Sequence, residues 1–204
     1  MSAATSATLS PMLARVDSFV LQGIDAVLCE LEVDLSPVGL PKQTIVGLPD
    51  AAVRESIERV RTAVLNCGYR FPQTRMTINL APADIRKEGP VYDVPIALAI
   101  LAAEGSIQPA GASNGNAGQL RDYLIAGELA LDGRIRPVNG VISLALLARQ
   151  LGKRGVIVPD ANAHEAAAVD TISVIGVETL GQIVGYFNGT VDVPAVEHVD
   201  AEYS

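Results

Sequence analysis

Apolar residues recur along this chain at every second position in some stretches and every third or fourth in others, and the switch between the two marks strands and helices. From Ala14 to Leu35 the pattern predicts two strands. In the second, Ala26, Leu28, Leu31 and Val33 mix with Glu30, Glu32 and Asp34, and Gly23-Ile24-Asp25 before it signals a hairpin. Gln43 to Val46 reads as a short strand that breaks at Gly47. Asp50 to about Asn66 is then a helix: Asp50 is a fitting N-cap, and Val53, Ile57, Val60 and Val64 form one apolar stripe. Arg54–Glu58 and Glu55–Arg59 are i,i+4 pairs on the other side, and Gly68 supplies the stop.

Met76 to Leu80 predicts a strand, followed by a loop from Ala81 to Tyr92. Asp93 is expected to cap a helix from Val94 to about Ala103, with Pro95 in the first turn, where its missing N–H costs nothing. That helix is apolar nearly all round, so it should be central and buried. Gly105 to Asp122 is rich in Gly, Ser, Asn and Ala and reads as a surface loop. Tyr123–Ala126 and Glu128–Leu131 are strand-like, and Asp132-Gly133 turns the chain into Arg134–Pro137. Gly140 opens an apolar helix to Leu151, and Val156–Val158 is a buried strand. Asn162 and Glu165 have capping-box spacing, Ile172–Val177 is a last strand and Leu180–Phe187 a short last helix. Hairpins mixed with looser alternation predict an α+β domain, with a possible small α/β appendage after about residue 140. Residues 1–11 read as a disordered extension, 12–189 as the domain and 190–204 as an acidic linker or tail.

Composition narrows the functional classes. Of the 204 residues 49% are apolar, enough for an ordinary core, while aromatics are 4% with no Trp, which argues against a stacking surface for single-stranded bases. No apolar run is long enough to span a membrane, and the start of the chain lacks the charge and apolar stretch of a signal peptide. Cys29 and Cys67 stand far apart with no ligand-type spacing, as expected of two reduced thiols in a cytoplasmic protein. His164-Glu165 begins like a zinc-protease motif, but Ala168 stands where its second histidine belongs, so no metal site is expected. The net charge of -8 is unevenly placed: residues 54–87 hold seven basic and three acidic groups, and residues 155–204 hold eight acidic and no basic groups. Such a field repels a phosphate backbone at long range, and only the 54–87 stretch offers a basic face.

Three segments carry more than fold grammar. They are Gly47-Leu48-Pro49-Asp50-Ala51-Ala52-Val53-Arg54-Glu55-Ser56, the run from Asn79 through Lys87-Glu88-Gly89-Pro90-Val91-Tyr92-Asp93 to Leu98, and Gly127-Glu128 through Asp132-Gly133 and Pro137 to Val141. Together they resemble the N-terminal domain of the magnesium-chelatase-like AAA+ ATPases, over Met12 to about Gly189. That domain is similar in turn to the Lon protease domain, of the ribosomal protein S five domain 2-like fold. The resemblance therefore implies a mixed sheet packed with helices.

It also implies a test of activity. In Lon enzymes a Lys-Asp-Gly-Pro-Ser-Ala-Gly segment holds the nucleophile; here the corresponding place is Val91, and the place of the general-base lysine is Ile142. Neither side chain can attack or accept a proton. Ser143 lies one residue on, turned by about 100° on a helix. The ATP-binding G-x-x-x-x-G-K-[ST] loop is missing too: Gly152-Lys153 is followed by Arg154, with Leu147 where the first glycine belongs. The chain is thus expected to be non-catalytic, with no cofactor of its own. ATP and magnesium are implied for an AAA+ module downstream of this domain. The resemblance implies a cytoplasmic, ring-forming DNA motor of the kind that promotes branch migration in natural transformation. Its partners would be that downstream module, neighbouring ring subunits and DNA, with no membrane. The candidate DNA or subunit contacts are Arg54, Arg59, Arg61, Arg70, Arg75, Arg86 and Lys87, the last two beside the start of the buried helix. The alternatives are a solvated face with local ion pairs, or a free-standing nucleic-acid-binding module using the same stretch.

Overall fold

The computed structural model describes residues 13–108 and 118–198. The expected extension at residues 1–11, the middle of the 105–122 loop and the last residues of the tail lie outside them.

Among the described residues the chain forms nine strands and five α-helices. β1 (Leu13–Gln22) and β2 (Asp25–Ser36) form the predicted hairpin, β3 (Lys42–Val46) leads into α1 (Ala51–Asn66), and β4 (Arg75–Ala81) leads through a loop and a 3-10 turn into α2 (Asp93–Glu104). β5 (Tyr123–Ile125), a small β6 (Glu128–Leu129) and β7 (Ile135–Arg136), α3 (Val141–Gln150), β8 (Gly155–Pro159), α4 (Asp160–Ala166), β9 (Ser173–Val177) and α5 (Leu180–Phe187) follow. Seven strands form one sheet in the order β3-β4-β2-β1-β5-β8-β9, and β6 pairs with β7 by itself. β1, β2 and β4 pair antiparallel, whereas β3–β4, β1–β5, β5–β8 and β8–β9 are parallel. This is the mixed, helix-packed sheet of an α+β Lon-like domain. The α/β portion expected after residue 140 is joined edge-on, since β8 and β9 continue the same sheet.

Alternation along β1 sends its side chains to two cores. Val16 and Val20 face α1, α2 and α5, while Phe19 faces α3 and α4. The stripe predicted on α1 is buried, and α2 is buried on nearly every side: Val94, Ile96, Ala97, Leu98, Ala99, Ile100 and Leu101 are 0% exposed. A helix with no polar face can only sit in the middle, and it does.

Two local expectations fail for one reason, that a distant partner outbids a near one. Asp93 is the first residue of α2 and makes no capping bond; its carboxylate turns aside to Arg59 and to the Leu129 N–H. Asn162 lies inside α4, which starts at Asp160. Its side chain accepts from Val138 N–H at 2.9 Å and donates to Val138 O at 3.0 Å, so it clamps the approach to α3 instead of capping its own helix. Residues 190–198, read as linker or tail, lie along the fold: Val193 is buried and the Val196 N–H donates to Val174 O of β9 at 2.8 Å.

Candidate functional site

The loop between β4 and α2 carries the Lys87–Asp93 segment and is stitched to the entry of α1. The Lys87 N–H donates to Leu48 O at 3.1 Å, and the Asp50 N–H donates to Lys87 O at 3.0 Å. The Asp50 carboxylate serves both sides, accepting from the Val53 N–H at 2.7 Å as N-cap and from the Gly89 N–H at 3.2 Å. Gly47 permits the approach, because a Cβ there would lie 2.0 Å from Leu80 O. Sequence reasoning found the cap in Asp50 but not its second bond, which joins residues 39 apart.

A cleft of about 620 Å³ opens where this loop meets the end of β1 and the Pro137–Asn139 segment. Phe19, Leu21, Ile85, Val91 and Val138 give it an apolar lining, with Glu88 and Glu128 among its polar groups. Tyr92 closes the floor, donating its hydroxyl to Phe19 O at 3.0 Å, and burial raises its phenol well above the ordinary value. Val91, half-buried, lines the cleft at the position where the Lon resemblance puts the nucleophile. Ile142 is 42% exposed on α3. The Ser143 hydroxyl is already committed, donating to Ile24 O at 2.8 Å. The α2 N-terminus is also partly used, since the Val94 N–H donates to Gly127 O at 3.0 Å.

The seven basic residues singled out in the sequence meet different surroundings in the fold. Arg59 turns inward: Nε donates to Asp93 Oδ2 at 2.9 Å and Nη2 to Oδ1 at 3.1 Å, with further bonds from Nη2 to Ala52 O and Ser56 Oγ. Burial pushes the Asp93 carboxyl upward, and Arg59, Ser56 and the Leu129 N–H pull it back. The bond to Asp93 raises the Arg59 guanidinium in turn. Lys87 is fully enclosed, with Nζ donating to Pro82 O; burial lowers its pKa. Lys87 is therefore not presented to a surface, against expectation, and Arg59, though a quarter exposed, is committed to Asp93. Cys29 is buried too, and burial pushes its thiol up to about 12, which keeps it protonated and inert.

The other five reach the surface in different places. Arg61 lies over the Phe71 ring at 6.0 Å, and Arg86 pairs with Glu88 at 3.3 Å, both side chains being exposed. Arg54, Arg70 and Arg75 are exposed, and none has an ion-pair partner among the described residues. The i,i+4 pair Glu55–Arg59 is long, at 3.9 Å. One buried carboxylate went unnoticed in the sequence: Asp17 of β1, which accepts from Lys153 Nζ at 2.6 Å and lies 3.5 Å from Arg121 Nε. No group of three or more His, Cys, Asp or Glu side chains among the described residues is arranged to hold a metal, and no helix there is long and apolar enough to cross a membrane.

Residues 31–162, the stretch holding the stitched loop and most of the cleft lining, match the family model described as subunit ChlI of Mg-chelatase. The chain belongs to that family. Competence protein ComM of Haemophilus influenzae is 40% identical over 190 residues, covering 93% of this chain and 35% of ComM. An uncharacterized protein of Mycobacterium tuberculosis is 44% identical over 178 residues, covering 87% of this chain and 34% of its own length. More distantly, Lon protease 2 of Bacillus subtilis is 24% identical over 195 residues, covering 86% of this chain and 33% of the protease. The chain thus spans about a third of the length of these relatives. The Mg-chelatase-like family is of the AAA+ ATPase type, and this stretch of it has the Lon-like part.

Proposed function

We propose that this chain is the non-catalytic, Lon-like N-terminal domain of a Mg-chelatase-like AAA+ ATPase, serving in ring assembly, regulation or DNA engagement by a ComM-like motor. The observation that carries the reading is the pair Val91 and Ile142 at the two positions where a Lon-type nucleophile and base belong. Folding has sent the nearest alternatives elsewhere, Lys87 into the interior and the Ser143 hydroxyl onto Ile24 O. A cleft that lacks a nucleophile beside a base can bind without cutting. ATP and magnesium belong, on this reading, to a downstream module, and the cytoplasm is where such a motor would work.

The chain is expected to show no labelling by a fluorophosphonate probe, no peptide hydrolysis and no ATP binding at micromolar concentration. Stoichiometric labelling, or nucleotide binding at that strength, would sink the reading. The second reading, a nucleic-acid-binding module, draws support from Arg54, Arg70 and Arg75, which lack ion-pair partners among the described residues. It requires that duplex DNA bind the chain with a steep salt dependence and that Arg54→Ala/Arg86→Ala flatten that slope.

A further inference from the structure

The two edges of the seven-stranded sheet are finished differently. At the β9 edge the chain itself lies alongside, held by the Val196 N–H on Val174 O with Val193 buried beneath. At the β3 edge no described strand pairs on the outer side, and the segment leading into it exposes Val38 at 76% and Leu40 at 86%. An open edge flanked by exposed apolar residues is a site for pairing unless it is blunted.

Its charges restrict which partner it can take. Lys42 of β3 and Arg75 of β4 are register partners, side by side and both exposed, and neither has a carboxylate partner among the described residues. Like charges on adjacent strands repel. A Cβ placed on Gly39 would stand 4.0 Å from Arg75 Nη1, so that charge lies near the loop bearing Val38 and Leu40. The surface is therefore an apolar loop joined to two cations that lack an anion. At the other edge the covering segment carries exposed Val191, Asp192 and Glu197, with no cation in residues 155–204 to neutralise them. The mismatched charges of one edge are the complement of the other.

We propose that the β3 edge of one copy receives the acidic β9-side surface of a second copy, in a head-to-tail contact. Lys42 and Arg75 meet Asp192 and Glu197 of the second copy, and Val38 and Leu40 cover Val191. A contact between two different surfaces propagates from copy to copy, and it closes into a ring when the rotation allows. The contact rests on the ring-assembly reading above and names the faces that would make it.

The test is sedimentation of the chain over a range of concentrations, at low salt and at about 0.5 M NaCl, where screening shortens the reach of surface charges to a few ångströms. The parent chain should associate at low salt and return to monomer at high salt. K42E/R75E and D192K/E197K should each remain monomeric with unchanged far-UV dichroism and melting temperature. An equimolar mixture of the two should recover association, because each reversed face meets an opposite one. Leu40→Asp should weaken association at least tenfold without unfolding. If the double variants associate as the parent does, this contact is wrong while ring assembly through another face stands. A parent chain monomeric at every concentration overturns the contact, and so does a mixture that fails to recover.

Discussion

The interior around α2 and the outer edge at β3 hold charge in opposite ways. Between α1 and α2, Arg59 and Asp93 meet in a two-bond pair, with Ser56 Oγ, Ala52 O and the Leu129 N–H taking up the remaining valences. Lys87 is held beside them in sequence but alone, on a single carbonyl. At the β3 edge Lys42 and Arg75 stand in water with no counter-charge in the described chain. A charge taken from water must be matched by bonds, or its cost is several kcal/mol. A charge left in water carries no such demand and stays available. The arginines of one sequence stretch thus divide into those that fasten the fold and those that can meet a partner.

The largest expected effect lies where no polar group is provided for at all. Leu98→Asp places a carboxylate in the middle of α2 without a bonding partner, at a cost of several kcal/mol, comparable to the whole margin of a domain. The variant should be unfolded by near-UV dichroism and one-dimensional NMR. A folded, soluble Leu98→Asp protein would mean that α2 is not the centre of the molecule.

Asp93→Ala tests the interior directly. Removing one partner of a buried pair should cost about 3 kcal/mol, toward the low end of such cases because the quarter-exposed Arg59 can turn to water. Arg75→Ala should change stability by no more than about 0.5 kcal/mol, as at an ordinary surface site. Urea titrations of both variants measure the contrast, and equal losses would erase the distinction between the two regions.

The smallest effect concerns Lys87. Burial lowers its pKa in the folded chain, so between that value and the unfolded one near 10.5 the unfolded chain binds more protons. Stability contributed by this group therefore rises with pH across that window and is flat above it. Lys87→Met should stay folded, since the backbone bonds to Leu48 and Asp50 do not need the side chain, and should lose this alkaline rise. Stability curves from pH 8 to 10.5 that keep the same slope in both proteins would show that Lys87 does not titrate as a buried group.

Elements whose cause is local are legible without the fold. The stripe Val53, Ile57, Val60 and Val64 prescribes α1, the unbroken apolar run prescribes a buried α2, and the Gly23-Ile24-Asp25 signal prescribes the β1–β2 hairpin. Val91 and Ile142 could likewise be read from motif position alone, because side-chain chemistry does not depend on the fold. The placement of the charges becomes legible once the chain is folded. Asp93 looks like a cap until Arg59, 34 residues earlier, is brought against it, and Asn162 looks like one until Val138 arrives. Lys87 looks like a surface cation until the loop is stitched to Leu48 and Asp50. Periodicity records which face of an element is apolar, and it holds no record of which distant polar group that face will meet. Whether a charge fastens the interior or remains free at an edge depends on that meeting, and the sheet order, with β3 at one end and β9 at the other, arranges it.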